Sequence, residues 1–218
     1  MKYLFSSALL LLLFACGQAP EGEKVDAGDA ITTEAAATAD AISLAIDTTA
    51  SIINWTGAKV IGKQHHGLIK LASGEVKVAD GQLVGGEFVI DMHSINNQDM
   101  EGGGKARLEG HLKSDDFFAV DAFPTATFTI AEVKPHPEAA TSDATHQITG
   151  NFTLRGITKS ITIPARIAVN ESGLEAKTLP FTIDRTQWNV MYDAGVLGTA
   201  QDDIINDEIG LQIDLRTL

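Results

Sequence analysis

The sequence predicts an all-β domain of about eight mostly antiparallel strands with one short helix, closed as a barrel or packed as two sheets. Three observations carry this. From about Asp47 onward, apolar residues recur at every second position, the period of a strand with one buried face. Glycine-containing dipeptides punctuate these runs at turn spacing. A single stretch, around residue 110, switches to helical spacing.

In chain order, the first clear row is Phe88, Ile90 and Met92, opposite Asp91 and His93. Residues 105–114 then place Leu108, His111 and Leu112 at helical spacing, after Gly102-Gly103-Gly104, read as flexible, and before Asp115-Asp116-Phe117-Phe118. Ala126, Phe128 and Ile130 alternate with threonines. Ile148, Phe152 and Leu154 stand against Gln147, Thr149, Asn151 and Thr153. Ile161, Ile163, Ala165, Ile167 and Val169 alternate with Ser160, Thr162, Pro164, Arg166 and Ala168. Ile209, Leu211, Ile213 and Leu215 share one face of a final strand. Ser73-Gly74, Asp80-Gly81 and Arg155-Gly156 read as turns, the last with room for a tight hairpin.

Ahead of this domain the composition changes twice. Residues 1–15 open with Met1-Lys2, run apolar from Tyr3 to Ala15 and end in a small residue, the pattern of an export signal. The run is too short to span a bilayer, which takes roughly 20 apolar residues. Leu13-Phe14-Ala15-Cys16 reads as a lipobox, and Cys16 is the only cysteine. A lone thiol is odd in an exported protein; acylation of Cys16 after cleavage accounts for it. This is the pattern of bacterial lipoproteins, and it predicts a chain anchored to the cell envelope, with the outer membrane the better guess. Residues 16–46 then read as the acylated cysteine and an acidic flexible tether, too poor in large apolar residues to offset its ordering entropy. The alanines of residues 31–45 also allow a short helix. Residues 47–218 form the folded domain.

The formal net charge is -13. Without the signal, 15 basic against 29 acidic residues leave -14. That balance excludes nucleic acid, whose phosphates require basic patches, and it excludes electrostatic adhesion to anionic headgroups. Membrane contact is expected through lipid on Cys16.

Motifs for chemistry are weak. His65 and His66 are adjacent, so on a strand they face opposite ways and do not share an ion. No catalytic residue, cofactor or metal site is predicted. His66-Gly67 reads as a turn or a polar contact at a barrel end. Asp115-Asp116 reads as a cap or turn. Asp202-Asp203 and Asp207-Glu208 lack the glycine spacing of a calcium loop. Ser94 beside His93 faces away from it, and no G-x-S-x-G elbow occurs. Gly104-Lys105 lacks a phosphate-loop frame; a helix start there, with Lys105 and Arg107, is a weak site for an anionic headgroup.

Several segments together resemble the YceI-like family of exported lipid-binding proteins. They are Trp55-Thr56-Gly57, His65-His66-Gly67, the run from Gly86 to Ile95, His111-Leu112-Lys113-Ser114-Asp115-Asp116-Phe117-Phe118, Phe123-Pro124-Thr125-Ala126-Thr127-Phe128, and the run from Ile148 to Lys159. The resemblance spans nearly the whole domain. It implies a lipocalin-like antiparallel barrel with an apolar tunnel that binds polyisoprenoids or other long-chain amphiphiles, without catalysis. It turns Phe88, Ile90, Met92, Phe117, Phe118, Phe128, Ile130, Phe152, Leu154, Phe181 and Trp188, which would otherwise be read as a solid core, into candidate tunnel lining. This chain departs from the family in a polar loop at residues 193–207 and at Gly102-Gly103-Gly104, both expected to shape the tunnel mouth. The leading expectation is lipid carriage or storage. The alternatives are an enzyme acting on such a lipid through His93, His111 or Asp116, and a structural surface protein that binds a protein partner.

Overall fold

The computed structural model describes residues 19–33, 40–140, 142–195 and 203–218. The signal peptide, Cys16 and Asp202 lie outside the described residues.

Eight strands close a ring. These are β4 (Ile52–Ala58), β5 (Gln64–Ala79), β6 (Gln82–Asn97), β7 (Thr125–Pro135), β8 (His146–Leu154), β9 (Ile157–Asn170), β10 (Gly173–Thr178) and β12 (Glu208–Arg216). Each pairs antiparallel with the next, and β12 closes on β4 through Gly210↔Thr56 to Asp214↔Ile52. Closure removes the exposed edges that an open sheet would present. The fold is therefore the lipocalin-like barrel, not the sandwich. Four short strands attach to the ring: β1 (Glu23–Val25), β2 (Gly28–Asp29), β3 (Ile42–Ala45) and β11 (Phe181–Asp184). β3 follows β4's track along β5, and β11 continues β10's track along β12.

The turns show what glycine does in each place. Asp80-Gly81 and Arg155-Gly156 connect adjacent strands with both residues at positive φ, 50° and 71°, 48° and 73°, the primed turns that match strand twist. Ser73-Gly74 is not a turn. It lies inside β5, where the register against β6 shifts between Leu71 and Ser73. A Cβ on Gly74 would stand 3.0 Å from Phe88 Cδ1. Here the glycine marks a bulge and a close approach, as an isolated strand glycine often does. His65-His66-Gly67 is likewise the start of β5 rather than a turn.

The helix α1 spans Gly102–Lys113, so the three glycines form its first turn instead of a flexible lead. It packs against β6 and sends Leu108, His111 and Leu112 to the barrel interior.

The segment read as a free tether departs most from expectation. Glu23–Val25 pairs in parallel with Phe181–Ile183, and Gly28 and Asp29 pair with Ser160 and Lys159. Val25 is only 6% exposed. Asn151 clasps the backbone of Ile31 with two hydrogen bonds: its Nδ2 donates to the Ile31 carbonyl at 2.7 Å, and its Oδ1 accepts from the Ile31 N–H at 3.0 Å. The reason is a wedge in the ring. β10 pairs with β9 from Ala165 onward, and beyond Leu179 the chain turns into β11, which pairs with β12 and β1 but not with β9. Residues 22–31 fill the opening with backbone hydrogen bonds. Likewise, residues 42–45 are strand, not helix, and pair with β5.

Candidate functional site

The inward faces of the ring do not meet. They enclose a cavity of about 730 Å³, within the roughly 300–1,000 Å³ usual for small-molecule sites. Ile53 and Trp55 of β4, Ile90 and Met92 of β6, Ala126 and Phe128 of β7, and Leu211 and Ile213 of β12 supply much of its wall. A second void of about 50 Å³ continues behind Phe128, between Val76, Leu83, Leu174 and Leu215.

Ten of the eleven candidate lining residues border one of the two voids. Met92, Phe117, Phe118, Phe152, Leu154 and Phe181 line the larger cavity, Phe88 and Ile130 the smaller, and Ile90 and Phe128 both. Trp188 lines neither. It is 0% exposed, packs against Phe152 at 5.3 Å between ring centroids, and its Nε1 donates to the Phe152 carbonyl. Its place in a one-turn 3-10 helix, Arg185–Trp188, takes it off the strand faces that build the cavity.

Polar groups gather at one end, the mouth. The β4–β5 turn at residues 59–63, α1, and residues 192–193 and 203–206 surround it. Four ion pairs form there: Lys59 with Asp203 at 3.4 Å, Lys24 with Glu208 at 2.9 Å, His65 with Asp99 at 2.8 Å and His111 with Asp116 at 3.5 Å. Burial alone would raise the Asp99 carboxyl. The hydrogen bonds it accepts from the His66 N–H, His65 and Asn97 outweigh that and hold it at about 2.

Two residues that the sequence reading did not place matter here. Arg185 is 1% exposed. Its Nη1 donates to the Val190 carbonyl at 2.7 Å, Nη2 to Ile205 at 3.1 Å and Nε to Asn206 at 3.2 Å, and Nη2 lies 3.5 Å from an Asp207 carboxylate oxygen. Burial pushes its pKa down from the usual value, opposed by Asp207, Asp184 and Asp193. One guanidinium thus pins both arms of the loop that rims the mouth. A buried arginine leaves no pattern in sequence, since arginine is mostly a surface residue. Trp55 had a signal, because Ile53 and Trp55 alternate with Asn54 and Thr56. Its Nε1–H is buried without an acceptor, a cost of about 1–3 kcal/mol.

Of the residues weighed for catalysis, His111 and Asp116 meet at 3.5 Å. Of His93, His111 and Asp116, only His111 lines the cavity. The Ser94 hydroxyl donates to the Asp91 carbonyl at 2.6 Å. Lys105 lies near Asn96 and Glu109, and neither it nor Arg107 lines the cavity. Asp203, Asp207 and Glu208 each meet a cation. Among the described residues no group of three or more His, Cys, Asp or Glu could hold a metal.

A closed antiparallel barrel with an apolar interior and polar groups at its rim defines a lipocalin-like container. The family model described as "YceI-like domain" matches residues 44–217, and the chain belongs to that family. A "UPF0312 protein" of Pseudomonas aeruginosa (strain LESB58) is 45% identical over 62 residues, which are 28% of this chain and 29% of the relative. That match spans under a third of the relative's length. Among solved structures, BcnA of Burkholderia cenocepacia is similar in fold, with a TM-score of 0.60 at 20% identity over 78% of this chain and 98% of that one. A polyisoprenoid binding domain from Saccharophagus degradans, implicated in plant cell wall breakdown, follows with a TM-score of 0.55 at 15% identity over 78% and 95%.

Proposed function

We propose that this chain is an exported, lipid-anchored protein that carries or stores a long-chain isoprenoid or similar amphiphilic lipid in its barrel at the bacterial envelope. The observation that carries this reading is the apolar cavity with its polar groups confined to one rim. An amphiphile placed tail-first would bury its chain along Ile53, Met92, Phe128 and Ile213 and leave its headgroup beside His65, His111 and Tyr192. Apolar burial contributes about 25 cal/mol per Å², so a long chain is held without a charged contact. The family membership and the polyisoprenoid-binding relative of similar fold support the same class of ligand. The signal pattern of residues 1–15 and the lipobox at Cys16 support export and anchoring, most simply at the outer membrane.

Mass spectrometry of lipid extracted from the purified protein tests the reading. A stoichiometric, chemically unchanged long-chain amphiphile is the expected result. Turnover of that lipid by the protein would make it an enzyme instead. A barrel that copurifies with no lipid and takes up none when offered an isoprenoid quinone would overturn the proposal.

A further inference from the structure

The first described residues, Ala19 and Pro20, lie beside the mouth end of the barrel. Pro20 is buried against the outer wall, where a Cβ added to Gly210 would stand 2.9 Å from Pro20 Cβ and 3.4 Å from Thr56 Cβ. Gly210 is two residues from Glu208, and Thr56 two from Ala58; Glu208 and Ala58 both line the mouth end of the cavity. Two strand residues are roughly 7 Å. From Ala19 back to Cys16 is three residues, at most about 11 Å when fully extended. The barrel therefore does not hang on a long leash. Because residues 20–31 are bound into the wall, lipid on Cys16 would hold the mouth end close to the membrane.

Exposed apolar side chains cluster on two loops at that end, besides Ile42 and Leu218 at the other. Val60 and Ile61 in the β4–β5 turn are 40% and 44% exposed, and Met191 and Tyr192 on the facing loop are 43% and 37% exposed. The two loops are joined, since the Val60 N–H donates to the Ile204 carbonyl and the Ile205 N–H donates to Asp193. With a net charge of -13, the chain as a whole is repelled by anionic lipid, so contact depends on the anchor and on these apolar tips.

We propose that the cavity mouth rests on the bilayer surface. Val60, Ile61, Met191 and Tyr192 sit in the headgroup layer, and the amphiphile passes between bilayer and cavity without crossing bulk water. This rests on the lipid-anchored, lipid-binding reading above. It also fixes an orientation that the reading leaves open, since an anchored barrel could equally lie on its side or point its mouth at solvent.

The test uses the full chain purified with its anchor and reconstituted on vesicles of phosphatidylethanolamine and phosphatidylglycerol. The acylated sulfur of Cys16 takes no thiol label, so Val60→Cys, Met191→Cys and Leu218→Cys each offer one site. Leu218 is 80% exposed at the opposite end. A fluorophore at 60 or 191 is expected to be quenched by nitroxide-bearing lipids, and one at 218 to be unaffected. In addition, Val60→Asp with Met191→Asp, neither of which lines the cavity, is expected to slow transfer of a loaded isoprenoid quinone to vesicles about tenfold at unchanged occupancy. Protein that does not float with the vesicles overturns the anchor and this proposal with it. Protein that floats with no quenching at 60 and 191, or with an unchanged transfer rate, overturns the orientation alone and gives the tips to a protein partner.

Discussion

The indole of Trp55 lies against the bare backbone of Gly67. A Cβ built on Gly67 would stand 2.8 Å from both Cε2 and Cζ2 of Trp55 and would collide with the Asn96 carbonyl oxygen. Since the clash is partly with backbone, β5 has no cheap way to yield. Gly67→Ala is expected to cost at least roughly 1–3 kcal/mol, as for other overpacked sites. It should also tilt the indole into the cavity and lower lipid occupancy. A urea melt indistinguishable from the parent would show that the strand relaxes freely.

Phe128 separates the two voids and stacks with Phe88 at 6.4 Å between ring centroids. Phe128→Trp should shorten the space available to a ligand chain. Occupancy falls while the delipidated protein stays folded, because the cavity has room for the added atoms. Phe128→Ala should join the voids and admit longer chains, with a stability loss of about 3 kcal/mol or somewhat less. Unchanged occupancy in Phe128→Trp, together with a clear loss of delipidated stability, would make this an ordinary core position.

The strap at residues 22–31 predicts that the N-terminal segment stabilises the domain. Val25→Asp places a carboxylate at a position 6% exposed and should cost about 3 kcal/mol or more. In a chain of this size that lowers Tm by on the order of 10 °C. Calorimetry of the domain with residues 17–31 deleted should show a drop of similar size. An unchanged Tm in both would return the segment to the role of a free tether.

Asp99 predicts an acid limb. Its folded pKa of about 2 lies below the roughly 3.9 of an unfolded aspartate. A depressed folded value means that the carboxylate stabilises the fold above about pH 4, a contribution lost as pH falls toward 2. Asp99→Asn should be less stable than the parent at neutral pH, and the gap should close over that window. A gap of constant size from pH 7 to pH 2 would assign the stability to something other than the ionised form.

The strand faces were legible because burial on one side imposes period two. Ile161, Ile163 and Ala165 are 4%, 4% and 0% exposed as their alternation requires. The strap was not legible, because it is held by backbone pairing and carries one buried apolar residue, Val25. Glycine was ambiguous for a physical reason. The same residue serves a primed turn at Gly81 and Gly156, a bulge at Gly74 and a close approach at Gly67, and only the partner strand distinguishes them. Trp188 alternated with nothing, yet looked like lining by its size; Arg185, which organises the mouth, looked like a surface charge.

The ring shuts through contacts far apart along the chain. β12 must reach β4, and the Arg216 N–H donates to the Ser51 hydroxyl across 165 positions. The strap, though made first, docks on β9 and β11, which come late. Loop-closure entropy must be met before such pairings return anything, which makes folding of this topology slow. A nascent chain that has not yet made β12 has no strand to zip the cylinder. The ring therefore stays open until that late strand arrives, and the barrel gains its closed interior last.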